Sequence, residues 1–501
     1  MALEADEASV PETIDCDLCV VGAGITGLNA IFAASHYLDA SARVVLVDQK
    51  LEAGGMWPET YDYARLHQPY PMFTVGNFGW SLKKPAWHLA SKQEVVGHLK
   101  GCLTRLRERF TLIERFGYRC EGHEEVAGAH GWHAVIECIG VSGGQRLSVR
   151  AKRCIKAVGA DIKSKPPLEL TSHRVASVSP HGGATDGPPV PEGEQPIYVI
   201  GGGKTAMDTA HRLVKDHPER PVHMVIGQGC VFWNRDRIAP TGLRRWLGGF
   251  LPLNCLLDVA RRYRGDNADE VFEYFKAQYC LALNGNARQF RWGILSEAEL
   301  STIRNGVDEV IEDYLEDVVD EEGQPVMVFR SGDRRPVEAG SCVINGTSYI
   351  DRSAEEAGYE PYLSPNGTVV SINARSSVTW LTTYAGYFLT HLFYQNRLAD
   401  LPLYRINFIE LERTDKTALS VISMTHMIHN LLLILPSVPA KAAREWGLDH
   451  NRWYPLVRRI WAVVKLMITG RRDWEHTRKA LDRASATLGI ECGRLPNEQG
   501  S

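Results

Sequence analysis

Leu18-Cys19-Val20-Val21-Gly22-Ala23-Gly24-Ile25-Thr26-Gly27 is the stretch on which the fold turns. An apolar run of strand length stops at glycines spaced G-x-G-x-x-G, and Leu28 to Tyr37 then reads as a helix. Glycine permits the tight strand-to-helix turn and lets a diphosphate approach the backbone, where the first helical N–H groups carry partial positive charge. A second strand, Val44-Val45-Leu46-Val47, ends in Asp48, near the spacing expected of an acid that holds a ribose hydroxyl pair. Strand, turn, helix, strand and acid thus follow one another in the order a dinucleotide-binding unit requires, with Gly22, Gly24, Gly27 and Asp48 as candidate contacts.

The design recurs further along. Pro196-Ile197-Tyr198-Val199-Ile200 reads as a short buried strand, Gly201-Gly202-Gly203-Lys204-Thr205 as a turn, and Ala206 to Val214 as a helix. Gly201, Gly203, Lys204 and Thr205 become candidate contacts for a second dinucleotide. Gly203-Lys204-Thr205 is not a P-loop, because that motif needs a glycine where Tyr198 stands. The next strand, Val222 to Ile226, ends at Gly227-Gln228 with no carboxylate to repel a 2′-phosphate. With Arg235 and Arg237 following, this favours NADPH over NADH, although either arginine could equally be solvated surface. Lys204 either adds a phosphate contact or points to solvent.

Composition bounds the rest. A chain of 501 residues buries more than one core. A hydrophobic content of 44% and a charged content of 23% are ordinary for a globular protein. The net charge of −4 gives no polyanion signal, which argues against nucleic acid as a partner. The first residues, acidic and without a basic one, lack the pattern of a secretory or organelle address, and apolar runs such as Leu431 to Leu435 are too short to cross a bilayer. A cytoplasmic enzyme without a transmembrane segment is expected, with oligomerisation left open. The eleven cysteines and the histidines show no metal-ligand spacing, so no metal is expected. Cys16 and Cys19 read C-x-x-C inside the first strand, where alternation should send them to opposite faces.

Gly54-Gly55-Met56-Trp57, followed by Tyr63-Ala64-Arg65-Leu66-His67-Gln68-Pro69, resembles the second flavin-contacting loop of the class B flavoprotein monooxygenases, the flavin-containing, N-hydroxylating and Baeyer–Villiger enzymes with two dinucleotide-binding domains. The resemblance covers most of residues 14–400 through scattered motifs. It implies an α/β fold of two Rossmann-like domains, FAD on the first and NADPH on the second, with added helical segments. It also implies Gly55, Met56, Trp57 and Arg65 at the flavin, and His67 with Gln68 as the catalytic polar pair. Gln68 could bond a flavin or peroxide oxygen, and His67 could exchange a proton near neutral pH or simply be bonded within its loop. Cys154 to Gly159 and Cys342 to Tyr349 resemble the two interdomain crossings of the family. Tyr384 to Leu392 resembles the returning segment, on a helix starting near Thr382 whose dipole could face the flavin.

The domain map that follows has residues 1–165 opening the FAD domain, 166–196 as a linker, and 197–350 as the NADPH domain with a helical insertion at about 241–320. Residues 351–400 then return to the FAD domain, and 401–501 form a C-terminal helical region. Apolar sets Val271, Phe272, Tyr274 and Phe275 in the insertion, and Trp453, Leu456, Val457, Ile460 and Trp461 in the C-terminal region, are expected to be chiefly core. The activity implied is insertion of one atom of O2 into a small organic substrate through a (hydro)peroxide at the flavin C4a carbon. The family's linker pattern F-x-G-x-x-x-H keeps only its histidine here, His181, with Thr185 at the following aromatic position. That argues against Baeyer–Villiger oxidation and leaves oxidation at nitrogen or another heteroatom favoured. A flavin reductase or dehydrogenase without oxygen insertion, and a non-catalytic nucleotide-binding protein, are the alternatives.

Overall fold

The computed structural model describes residues 12–159, 165–181, 188–347, 360–445, 450–489 and 492–493. Its first sheet is built on the strand Glu12–Val21, which runs parallel to Arg43–Asp48 on one side and to Arg146–Lys156 on the other. Thr111–Phe116 extends the parallel set beyond Arg43–Asp48. Arg146–Lys156 is long enough to serve two purposes. Its first half pairs antiparallel with Gly131–Gly140, which continues to Tyr118–Gly128, and its last residues pair parallel with Val369–Ser371 from far along the chain. The helices Ile25–Ala34, Lys92–Arg107 and Thr382–Tyr394 pack into the core on this sheet.

The second sheet has five parallel strands in the order Glu309–Ile311, Val222–Val225, Ile197–Ile200, Cys342–Asn345 and Ala176–Val178. Helices Lys204–Asp216 and Glu297–Gly306 cover one face. The antiparallel ribbon from Leu315–Glu321 to Arg334–Pro336 covers the other through Val318, Met327 and Phe329. The fold is therefore α/β, with two Rossmann-like units. Residues 166–196 are more than a linker, because Ala176–Val178 forms the edge of the second sheet. The end of the insertion likewise belongs to the second unit, since Glu297–Gly306 and Glu309–Ile311 complete it.

The two stretches outside this plan pack on each other. Helices Pro252–Arg262 and Ala268–Tyr279 from the insertion, and Leu456–Leu488 from the C-terminal region, surround the 22-residue helix Lys416–Ser437. By length and composition Lys416–Ser437 could cross a membrane, which the five-residue run at Leu431 to Leu435 did not disclose, but it is mostly buried in protein. Its polar side chains have partners: His426 Nε2 donates to the Tyr404 carbonyl at 2.5 Å, and Asn430 Nδ2 to the Val378 carbonyl at 2.6 Å. Val271, Phe272, Phe275 and Trp453 are core as expected, but Leu456, Val457, Ile460 and Trp461 are exposed. Cys16 and Cys19 enter the same core layer rather than opposite faces, because the alternation of the strand changes phase at Asp17, whose carboxylate accepts from Arg43 N and Lys152 Nζ.

Candidate active site

The first glycine turn is closed by backbone contacts that no side chain could replace. Gly22 has φ +110°, and a Cβ on it would stand 2.4 Å from the Ala157 carbonyl oxygen, where the crossing strand passes. A Cβ on Gly27 would stand 1.9 Å from the Gly22 carbonyl oxygen, so helix and turn touch backbone to backbone. Gly54 N donates to the Ala23 carbonyl at 3.1 Å, which brings the Gly54-Gly55 loop against the turn. There a Cβ on Gly55, at φ +60°, would lie 2.8 Å from Gly24 Cα, and one on Gly24 would lie 3.2 Å from Gly55 Cα. This is a cradle that a methyl group would fill, which fits a diphosphate lying against bare backbone.

Asp48 is buried, and its two carboxylate oxygens accept from Ala23 N at 2.5 Å and Lys50 N at 2.8 Å. Burial nevertheless pushes its carboxyl upward, with these bonds opposing. The acid therefore shapes the turn, and a spare lone pair on each oxygen can accept from a ribose hydroxyl. Lys50, which the motif did not disclose, donates to the Gly55 carbonyl at 2.8 Å and pairs with Glu59 at 2.8 Å, fastening the second loop. The helix Thr382–Tyr394 starts where expected and points its N-terminus at the same place: Thr382 Oγ1 and Thr26 Oγ1 are 3.1 Å apart, and a Cβ on Gly386 would meet the Thr26 carbonyl oxygen at 2.4 Å. Two helix N-termini thus converge on the cradle, a favourable setting for negative charge.

The second turn repeats the scheme. A Cβ on Gly201 would stand 2.6 Å from the Gly346 carbonyl oxygen, and one on Gly202 would stand 2.9 Å from Gly229 Cα, while Gly203 caps the helix Lys204–Asp216. Gly346 ends the strand Cys342–Asn345, as the second crossing predicted; Ser348 and Tyr349 lie outside the described residues.

Residues 61–63 bond directly to the helix that follows the second turn. Tyr61 Oη donates to Asp208 Oδ2 at 2.7 Å, and Tyr63 Oη and Thr209 Oγ1 are 2.8 Å apart. Lys204 neither points to solvent nor stands free: its Nζ pairs with Asp208, one helical turn on. His67 lies beside this group, and burial, followed by the positive charge of Lys204, pushes its imidazole down to about 3. Held in the neutral form, the imidazole can accept a hydrogen bond on one ring nitrogen and donate one from the other. Gln68 is half-buried next to it.

Arg235 also faces His67, already paired with Glu299, its Nη1 3.2 Å from Oε1. Burial raises the Glu299 carboxyl, but Arg235 and Lys204 outweigh it and hold it down at about 2. Other candidates lie apart from this cluster. Arg237 is exposed and donates to the Gln278 carbonyl at 3.0 Å, and Arg65 is exposed and donates to the Leu89 carbonyl at 3.2 Å. Trp57 rests edge-on against Phe73, with Met56 partly exposed beside it. His181 bonds Ser179 and stands 5.8 Å, ring to ring, from Tyr61; Thr185 lies outside the described residues. Tyr61, Asp208 and Glu299 were missed by sequence reasoning, and Tyr63 was quoted within its loop motif but given no role. Only Asp208 carried a local signal, its i+4 spacing from Lys204, whereas Glu299 read as an ordinary helix cap of Ser296.

No family model matches the chain. An uncharacterized protein of Mycobacterium bovis and another of Mycobacterium tuberculosis are each 36% identical to it over 66 residues, 13% of this chain. The match spans only 12% of the length of these curated relatives. Solved structures of similar outline include ε-caprolactone-bound cyclohexanone monooxygenase, 14% identical over 77% of this chain and 87% of that one, with a TM-score of 0.48. A flavin-containing monooxygenase from Stenotrophomonas maltophilia is 13% identical over 76% of this chain and 99% of that one, with a TM-score of 0.46. Ornithine hydroxylase from Pseudomonas aeruginosa is 11% identical over the same shares, with a TM-score of 0.46.

Proposed function

We propose that the protein is an FAD-dependent, NADPH-using monooxygenase that inserts one atom of O2 into a small organic substrate, with a nitrogen or other heteroatom as the preferred target. The observation that carries this reading is the direct bonding of the loop closing the first cradle to the helix opening from the second, through Tyr61 and Asp208. A chain that merely stored two nucleotides would have no need to join their cradles.

Bound together, the coenzymes would supply hydride transfer and the activation of oxygen. The protein's own residues bind, orient and exclude water. Gly22, Gly24, Gly27 and Gly55 admit the diphosphate of FAD, Asp48 takes its ribose, and Met56 and Trp57 extend the wall; Arg65 remains a more distant contributor of charge. Gly201, Gly203 and Thr205 do the same for NADPH, which the strand end Ile226-Gly227-Gln228, lacking a carboxylate, leaves free of repulsion at a 2′-phosphate. Arg237 is the arginine left for that phosphate, because Arg235 is held by Glu299. Lys204 and Asp208 keep the loops together, and neutral His67 with Gln68 offers hydrogen bonds beside them.

The test supplies the FAD-loaded protein with NADPH, labelled oxygen gas and a panel of primary amines, thioethers and ketones. Label in an amine or thioether product, at NADPH consumption matching product formed, is the expected result. NADPH oxidation that passes to a dye without oxygen, and no labelled product from any substrate, would make the protein a reductase instead.

A further inference from the structure

The helix Leu456–Leu488 has two apolar faces, and the fold uses one of them. Ala462, Leu466, Thr477 and Ala480 are buried, on the side that packs against Lys416–Ser437 and Pro252–Arg262, with Thr477 Oγ1 3.0 Å from His429 Nδ1. On the opposite face Leu456, Ile460, Trp461, Val464, Met467 and Ile468 follow one another at helical spacing and are exposed, Trp461 at 69% and Ile468 at 77%. The stripe stops at Gly470; Arg471 and Arg472 follow, and the rest of the outer face is polar.

The segment before Pro252 enlarges the patch. Leu243, Trp246 and Leu247 are exposed, Leu247 at 88%. Arg458 Nη1 donates to the Arg245 carbonyl at 3.2 Å, so the segment lies against the start of the stripe. A groove of about 410 Å³ joins Leu243 and Trp246 to exposed Trp87, and another of about 380 Å³ lies between Leu251, Trp461 and Ile468. An apolar surface this continuous is unusual on a water-exposed protein and marks an interaction site.

Its charge says what covers it. Residues 237–257 and 450–472 contain no aspartate or glutamate, yet they carry Arg244, Arg245, Arg458, Arg459, Lys465 and Arg471 among their cations, in a chain whose net charge is −4. The first acid after the stripe, Asp473, is turned inward onto Arg261 at 2.6 Å. A two-fold contact with a second copy would set this cationic rim against itself. A surface of anionic lipid headgroups over hydrocarbon meets both the rim and the stripe. The exposed half of the helix, shorter than the roughly 20 residues needed to cross a bilayer, is long enough to lie along its interface, where tryptophan is favoured.

We infer that this face docks the protein onto an anionic phospholipid bilayer. The patch also reaches back toward the candidate site. Trp87 precedes His88, whose carbonyl accepts from Tyr70 N at 3.2 Å, and the turn Arg235–Ile238 leads directly into the Leu243 segment. Docking would therefore bring the site close to the membrane surface, and the inference stands whether or not the proposed chemistry does.

Flotation of the protein with vesicles of phosphatidylcholine alone, and of phosphatidylcholine with phosphatidylglycerol, tests it. The expected result is recovery with the anionic vesicles, little with the neutral ones, and release as salt is raised. Trp461→Glu combined with Ile468→Glu should weaken recovery by about tenfold or more at an unchanged thermal unfolding midpoint, because both side chains are exposed. Equal recovery of the parent and double variant would overturn the assignment. So would a lipid-free dimer that the double variant dissociates and that does not float with either vesicle.

Discussion

Gly24→Val is expected to yield folded, colourless protein that takes up no FAD on reconstitution. Even the first carbon of the new side chain would lie 3.2 Å from Gly55 Cα, and the two branches beyond it would occupy the bare cradle between the turns. A diphosphate can approach there only because both positions lack side chains. Far-ultraviolet circular dichroism should stay close to that of the parent, since the surrounding strands do not depend on this approach. The neighbouring Gly27→Ala is expected to behave differently: its Cβ would stand 1.9 Å from the Gly22 carbonyl oxygen, and the turn itself would have to break. A Gly24→Val protein with full flavin content would show that the cradle is not where FAD binds.

Arg235→Ala is expected to destabilise the protein by about 3 kcal/mol, because it leaves the Glu299 carboxylate without its guanidinium in a largely buried place. Adding Glu299→Gln to Arg235→Ala should recover most of that loss, a result that a phosphate-binding arginine without structural duty would not give. The pair also sets a pH dependence. The folded-state value of about 2 for Glu299 lies below its ordinary 4.5, so its contribution is fully present above pH 4.5 and is lost as pH falls toward 2. Thermal unfolding midpoints of the parent and of Arg235→Ala, measured from pH 7 downward, should therefore converge on acidification. If Arg235→Ala instead leaves stability unchanged and raises KM for NADPH but not for NADH, the residue reads the 2′-phosphate as its sequence position first suggested.

What the sequence disclosed and what it hid divide along a physical line. Strand, glycine turn and helix are contiguous, so Gly22, Gly24 and Gly201 could be placed from spacing alone, and the helix at Thr382 followed from the resemblance of Tyr384 to Leu392 to a returning segment. The contacts joining the cradles are not local: Tyr61 and Asp208 are 147 residues apart, and nothing near either one announces the other. The fate of Arg235 was hidden for the same reason, since its partner Glu299 reads as an ordinary cap. Apolar spacing on Leu456–Leu488 disclosed a helix with an apolar stripe, but a helix with two such faces does not say which one the core takes.

Anaerobic mixing of the flavin-loaded protein with NADPH tests most directly whether two coenzymes face each other across the Tyr61–Asp208 contact. The expected result is bleaching of the visible flavin band by an equivalent of NADPH, slowed when Asp208→Ala loosens the contact. A bound flavin that stays oxidised in excess NADPH, or a chain that takes up no FAD at all, would contradict it.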